Sequence, residues 1–266
     1  MSTRFGFIGF GKMAEALWSA YHAQHQTTMS FYDPNSERAT TIAQKYNATA
    51  HSTIESLVAA SDSILLCIKP QTLPELLPQL KACSWDDKTL VSILAGIPMS
   101  RFETLSAKIA IARVMPNTPL QVGEGFSGIC FQNTTPKQEA VVMHLFAAGG
   151  STLTIPESTI NAITGSSGSG PAFFYQLTQK IIEIGKHHGL SESDTRACVA
   201  QTLIGAGKMM LTQDIPLETL ISQVTSPGGT TAAGLAEMHR LGVDHDFGNV
   251  ILKAISRAEE LAQPTP

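Results

Sequence analysis

The chain has 266 residues, of which 43% are hydrophobic and 15% charged, enough apolar side chain for one large or two modest cores and unlike a disordered polymer. Its net charge of -4, with 18 Lys+Arg and no basic run, excludes nucleic acid as the main partner and leaves small metabolites open. Cys67, Cys83, Cys130 and Cys198 show no C-x-x-C pair, metal-ligand spacing or small-secreted-domain pattern, which points to a reduced, cytoplasmic setting.

In chain order, short apolar runs alternate with helix-like stretches as far as about residue 155. The first run, at 5–8, follows a single arginine, and no long apolar span occurs anywhere; neither a signal peptide nor a membrane-spanning helix is expected. Strands are expected at 5–8, 29–32, 63–68, 90–94 and 109–115, then at 127–131 and 152–155, with amphipathic stretches at 14–25, 36–46 and 73–80 between the first five. Alternation at this spacing needs crossover connections, hence a doubly wound, mainly parallel sheet. Beyond residue 157 the strand signal stops. Leu177, Ile181 and Ile184 share a helical stripe, and Ser191 with Asp194 three residues later reads as a helix cap. The expected fold class is therefore α/β, with a sheet domain over 1–156 and an all-α domain over 157–266. The tail at 263–266, with two prolines, reads as frayed.

The first strand runs into Gly9-x-Gly11-x-x-Ala14 and then a helix. Gly9 permits the tight turn, Gly11 lets a pyrophosphate approach backbone N–H groups at the helix start, and Ala14 keeps helix and strand close. This is a dinucleotide-binding, Rossmann-type opening. The second strand ends in Tyr32-Asp33-Pro34-Asn35-Ser36, where such folds meet the adenosine ribose. Asp33 there accepts from ribose hydroxyls and disfavours a 2′-phosphate, whereas Asn35, Ser36 and Arg38 could hold that phosphate, and Asp33 as a plain helix cap is the third reading. The next strand ends Cys67-Ile68-Lys69-Pro70, at the edge where parallel strands face a ligand crevice; Lys69 is either a ligand contact or an exposed strand-end lysine. Ile93-Leu94-Ala95-Gly96 offers small residues at the same edge, and Arg113-Val114-Met115-Pro116-Asn117-Thr118-Pro119 forms a rigid polar turn.

With FIGFGKMA, CIKPQ, RVMPNTP, ITGSSGSGPAFFYQL and VTSPGGTTAAGLAEM in that order, the sequence resembles the pyrroline-5-carboxylate reductases over nearly its whole length. The resemblance implies reduction of the cyclic imino acid 1-pyrroline-5-carboxylate to L-proline, the last step of proline biosynthesis, by NADPH or NADH, with NADPH favoured. It also implies an N-terminal nucleotide domain and a helical domain that forms a homodimer, with decamers among its members. Its nucleotide contacts carry over to Ile8, Gly9, Phe10, Gly11, Lys12 and Met13, to Asp33, Pro34, Asn35 and Ser36, to Cys67, Ile68, Lys69 and Pro70, and to Ile93, Leu94 and Ala95. The substrate end carries over to Ser226, Gly228, Gly229, Thr230 and Thr231, with Glu157 aligned to the same end. The sequence departs from the family at Gln223, at Ala50-His51-Ser52-Thr53, and at Asp33, where several NADP-using members have a small hydroxyl residue.

Reducing a C=N bond needs a hydride over the ring carbon, a proton on nitrogen and an anchor for the carboxylate. The uncharged stretch Pro227-Gly228-Gly229 before a helix-prone run supplies backbone N–H groups and a positive dipole end as that anchor. Thr231 is the candidate catalytic residue, its hydroxyl orienting the ring nitrogen or relaying a proton to it. A β-hydroxyacid dehydrogenase would need a lysine with an asparagine a turn later; the helix after Pro171 offers Gln176, Gln179 and Lys180 without one. A nucleotide-binding regulator without catalysis is the remaining alternative.

Overall fold

The computed structural model describes residues 3–262, so the expected fraying at 263–266 lies outside the described residues. The seven apolar runs of the first half become strands and a two-residue strand, β3, joins them: β1 (Phe5–Ile8), β2 (Met29–Tyr32), β3 (Thr49–Ala50), β4 (Ser63–Leu66), β5 (Thr89–Ser92), β6 (Ala110–Pro116), β7 (Gly125–Gln132) and β8 (Gly150–Thr154). They form one sheet in the order β3-β2-β1-β4-β5-β6-β7-β8, parallel throughout except at the β6–β7 pair. Phe7 pairs with Phe31 on one side and Leu65 on the other. The strand order reverses between β1 and β4, which opens a crevice beyond their carboxyl ends.

Crossover helices cover both faces, which is why the central strands read as unbroken apolar runs. Phe7, Leu65 and Val91 point to the face carrying Leu17 and Trp18 of α1 (Lys12–His25) and Val142 and Phe146 of α5 (Pro136–Ala147). Between these helices in sequence, α2 (Ser36–Tyr46) adds Ile42 to the same core. Ile64, Leu66 and Leu90 point the other way, against Ile54, Leu57 and Val58 of α3 (Ile54–Ala60) and Leu73, Leu76 and Leu80 of α4 (Leu73–Lys81). The expected strands at 63–68 and 90–94 each end two residues earlier, at Leu66 and Ser92. There the chain turns, through the short helical turn Pro70–Thr72 in one case and through Gly96 at φ 78° in the other.

By packing, the chain forms two compact units, one of residues up to Ser169 with those from Lys253 onward, the other Gly170–Leu252. The first unit ends its continuous stretch with α6 (Ile160–Ile163) and a π-helical turn at Thr164–Gly168. The serine and glycine run before Pro171 is thus itself helical. The small residues make this wide turn possible: a Cβ at Gly168 would come 2.5 Å from Met115 Cε. The second unit contains α7 (Gly170–His187), α8 (Glu192–Thr212), α9 (Leu217–Gln223), α10 (Thr230–Leu241) and the first part of α11 (Val243–Ala262). Pro171 sits in the first turn of α7, where its missing N–H costs nothing. Ser191 caps α8 by accepting the Asp194 N–H at 3.0 Å. Apolar side chains on α7 and α8 stay open: Ile181 and Ile184 are 47% and 54% exposed, and Leu203, Ile204 and Met210 are also exposed. No described helix is long and apolar enough to cross a membrane.

Candidate active site

The carboxyl edge of the sheet gathers four of the segments singled out in the sequence. Gly9 N–H donates to the Tyr32 carbonyl at 2.9 Å and Cys67 N–H to the Ile8 carbonyl at 2.9 Å, so the turn after β1 is tied to both flanking strands. Gly9 has φ 79°, and a Cβ there would come 2.9 Å from Ile68 Cγ2 and 3.1 Å from the Cys67 carbonyl. Only glycine satisfies both the angle and the space. Gly11 is the N-cap of α1 and makes no side-chain cap bond, and a Cβ there would meet nothing within 4 Å. Open space above uncapped helical N–H groups fits a dinucleotide pyrophosphate. Phe10 is buried against Phe7, Phe31 and Tyr46, while Lys12 and Lys69 are exposed and Met13 half-buried. Ile8 and Leu94 are buried in the core, so at these two positions the backbone faces the edge.

The turn after β2 is internally knotted. Asp33 Oδ1 accepts the Asn35 N–H at 3.0 Å, and its Oδ2 stands 3.5 Å from Arg38 Nε. Asn35 Oδ1 caps α2 by accepting the Arg38 N–H at 2.9 Å, and Arg38 Nη2 donates to the Phe10 carbonyl at 2.6 Å. Pro34 and Ser36 are exposed. After β4, burial pushes the Cys67 thiol far above its ordinary pKa, so Cys67 serves here as a small neutral wall and not as a nucleophile.

Two polar anchors within this unit have partners that the sequence did not pair with them. Arg113 on β6, 5% exposed, donates through Nη1 to Glu157 Oε1 at 2.8 Å, and the same oxygen accepts the Met99 N–H at 2.8 Å. Asn117, at the end of β6, donates to the Ser167 hydroxyl at 3.1 Å and accepts the Phe126 N–H at 2.9 Å, holding the π-helical turn to the sheet edge. The RVMPNTP run marked both positions, but their partners lie 44 and 50 residues further on.

The second unit holds the Thr225–Thr231 loop. Gly229 N–H donates to the Ser226 carbonyl at 3.0 Å, and Gly228 turns the chain at φ 70°. Gly229 is the N-cap of α10 with no side-chain cap bond, and the first turn of α10 carries no acidic residue. Among the described residues, the backbone N–H groups of Thr230, Thr231 and Ala232 therefore end at a positive dipole terminus without an acceptor. Threonines elsewhere, such as Thr195, Thr202 and Thr212, bond their hydroxyls to the carbonyl four residues back; among the described residues the Thr231 hydroxyl makes no hydrogen bond. Such a loop suits a small carboxylate beside a free hydroxyl.

A family model described as pyrroline-5-carboxylate reductase dimerisation matches residues 157–261, and one described as NADP oxidoreductase, coenzyme F420-dependent, matches residues 4–96. Pyrroline-5-carboxylate reductase from Methanosarcina acetivorans is 32% identical over 98% of this chain and 98% of its own, and that from Haemophilus influenzae is 34% identical over 96% of each. The crystal structure of Plasmodium falciparum pyrroline carboxylate reductase with NADP bound superposes with a TM-score of 0.88 at 27% identity, covering 98% of this chain and 99% of that one. A reductive aminase from Aspergillus terreus, at 18% identity and a TM-score of 0.57, shares the fold alone.

Proposed function

The chain belongs to the pyrroline-5-carboxylate reductase family, and we infer from this that it reduces the C=N bond of 1-pyrroline-5-carboxylate to give L-proline, the last step of proline biosynthesis, using NADH or NADPH. The observation that carries the reading at the level of residues is the uncapped start of α10, with open space around Gly228 beneath it and no charge in the loop. The β-hydroxyacid dehydrogenase alternative finds no support in these relatives.

Bound nicotinamide supplies the hydride that the ring carbon takes up. In this reading the N–H groups of Thr230 and Thr231, with Ser226, Gly228 and Gly229 shaping the loop, hold the substrate carboxylate at the dipole end of α10. The Thr231 hydroxyl accepts from or donates to the ring nitrogen, which gains one proton as the carbon gains the hydride. Gly9 and Gly11 admit the pyrophosphate, while Lys12, Met13, Asp33 to Ser36, Cys67 to Pro70 and Ile93 to Ala95 line the nucleotide. Glu157 acts by shaping the edge near Met99, its Oε1 held by Arg113. We assign nucleotide binding to 1–156 and substrate binding with dimerisation to 157–266.

The helical region forms homo-oligomers, in keeping with the dimerisation model that matches it and with the open apolar faces of α7 and α8. We place a homodimer as the working unit, with decamers as its further assembly and the cytoplasm as its compartment. The deciding experiment follows NADH and NADPH oxidation side by side with pyrroline-5-carboxylate; absence of turnover with both sinks the reductase reading.

A further inference from the structure

The turn after β2 bears on which reductant this chain takes. At this position in dinucleotide folds an acidic residue accepts from the adenosine ribose hydroxyls, and an arginine nearby accommodates a 2′-phosphate. This chain has both, Asp33 and Arg38, and the structure decides between them by what each is already bonded to.

Asp33 is fixed. Its side chain is 7% exposed, one oxygen accepts the Asn35 N–H, and the other faces Arg38. The Arg38 side chain is half exposed, with Nε 3.5 Å from Asp33 Oδ2 and Nη2 donating to the Phe10 carbonyl in the glycine turn, while its backbone N–H is taken by the Asn35 cap. A 2′-phosphate that reached Arg38 would sit beside the Asp33 carboxylate, which repels a group of about -1.5 to -2 charge. Drawing Nη2 onto the phosphate would also release the contact that braces the turn holding Gly9 and Gly11. Glu37 adds a second negative charge in the first turn of α2, and the other cation of this helix, Lys45, is paired with Glu15 at 2.7 Å. The N-terminus of α2 is already closed by the Asn35 side chain, so it is not an open cradle for an anion. A ribose 2′-hydroxyl asks for none of these changes, since it needs an acceptor and Asp33 is one.

We propose that Asp33, held in place by Asn35 and Arg38, discriminates against the adenosine 2′-phosphate, so that NADH is the preferred reductant and NADPH binds more weakly. The inference rests on the reductase reading for the cofactor class and deepens it at one residue.

The test is calorimetric binding of NADH and NADPH to the full-length protein without imino acid, repeated with Asp33→Ser and Asp33→Asn. The wild type should bind NADH about tenfold or more tighter than NADPH, the effect of roughly one unfavourable charge contact. Asp33→Ser should narrow or invert that ratio, and Asp33→Asn, which keeps an acceptor for the Asn35 N–H, should do the same if Asp33→Ser does not fold. Equal or tighter binding of NADPH by the wild type overturns the proposal, as does a preference for NADH that both substitutions leave unchanged. A preference for NADPH that Arg38→Gln removes would assign the arginine to the phosphate instead. Binding is read without catalysis, so a protein that prefers NADH yet turns over no pyrroline-5-carboxylate overturns the reductase reading and leaves this one standing.

Discussion

Arg113 Nη1 and Glu157 Oε1 meet at 2.8 Å across 44 residues of chain, and the arginine side chain is 6% exposed against 31% for the glutamate. A nearly buried guanidinium that loses its carboxylate keeps its desolvation cost without compensation. Glu157→Ala should therefore lower stability by about 2 kcal/mol, below the range for a fully buried pair because the glutamate is partly solvated. Chemical denaturation measures it. A raised KM with an unchanged denaturation midpoint would instead place Glu157 on the substrate.

Thr231→Ala should reduce kcat by about 10²-fold, in the range of a lost proton-handling or orienting group. NADH binding should stay nearly constant, and Thr231→Ser, which keeps the hydroxyl, should recover most of the rate. Equal loss of turnover and cofactor affinity would contradict a role confined to the imino acid.

Substitutions at Gly228 and Gly229 should act on substrate affinity before stability. Gly228→Ala forces a side chain into φ 70°, at a cost of about 1 kcal/mol. Gly229→Ala would bring a Cβ to 2.4 Å from Ser226 Oγ, displacing the loop beneath α10. Both should raise KM for the imino acid while the melting temperature moves by a few degrees at most, as steady-state kinetics and calorimetry would show.

Thiol titration tests the burial of Cys67 and Cys130 chemically. Burial pushes the Cys130 thiol up to about 11 and the Cys67 thiol higher still, so at pH 8 their thiolate fractions are on the order of 10⁻³ or less. An aromatic disulfide reagent should leave both unmodified in the native protein at pH 8 and modify them after unfolding. Because the neutral thiol is the favoured form, the reactivity of Cys130 should rise only as the pH climbs toward 11, and that of Cys67 later still. Mass spectrometry of digested protein identifies the sites.

Open apolar faces on α7 and α8 should make stability depend on protein concentration. A melting temperature that rises with concentration, and a shift to a smaller species in light scattering for Ile181→Lys, are the expected results. A melting temperature independent of concentration would argue against association through these helices.

The bounds of β1, β2 and α2 could be read directly, because each pairs an unbroken apolar or amphipathic pattern with a clear stop. Three elements could not be read the same way. β3 is two exposed residues, Thr49 and Ala50, held by backbone pairing to β2 that no side-chain pattern records. α3 is short, and α5 declares itself through the reciprocal cap of Thr135 and Gln138 more than through its apolar stripe. At the site, local signals were legible: Gly9, Gly11, Asp33, Gly228 and Gly229 act through their own backbone or the adjacent turn. Arg113, Asn117 and the brace from Arg38 to Phe10 depend on partners 28 to 50 residues away, and only the folded chain brings those together.

The sheet-bearing unit takes its last helical residues from beyond Lys253, and a Cβ at Gly96 would come within 2.6 Å of Leu261 Cβ. During synthesis at about 5–20 residues per second, the segment after β5 waits on the order of ten seconds or longer for the piece that seats against it. All eight strands leave the ribosome before that wait ends. The stretch holding Ile93, Leu94 and Ala95 is thus finished last, and a nascent chain halted before Leu261 would present an unsealed edge beyond β5 to chaperones and proteases.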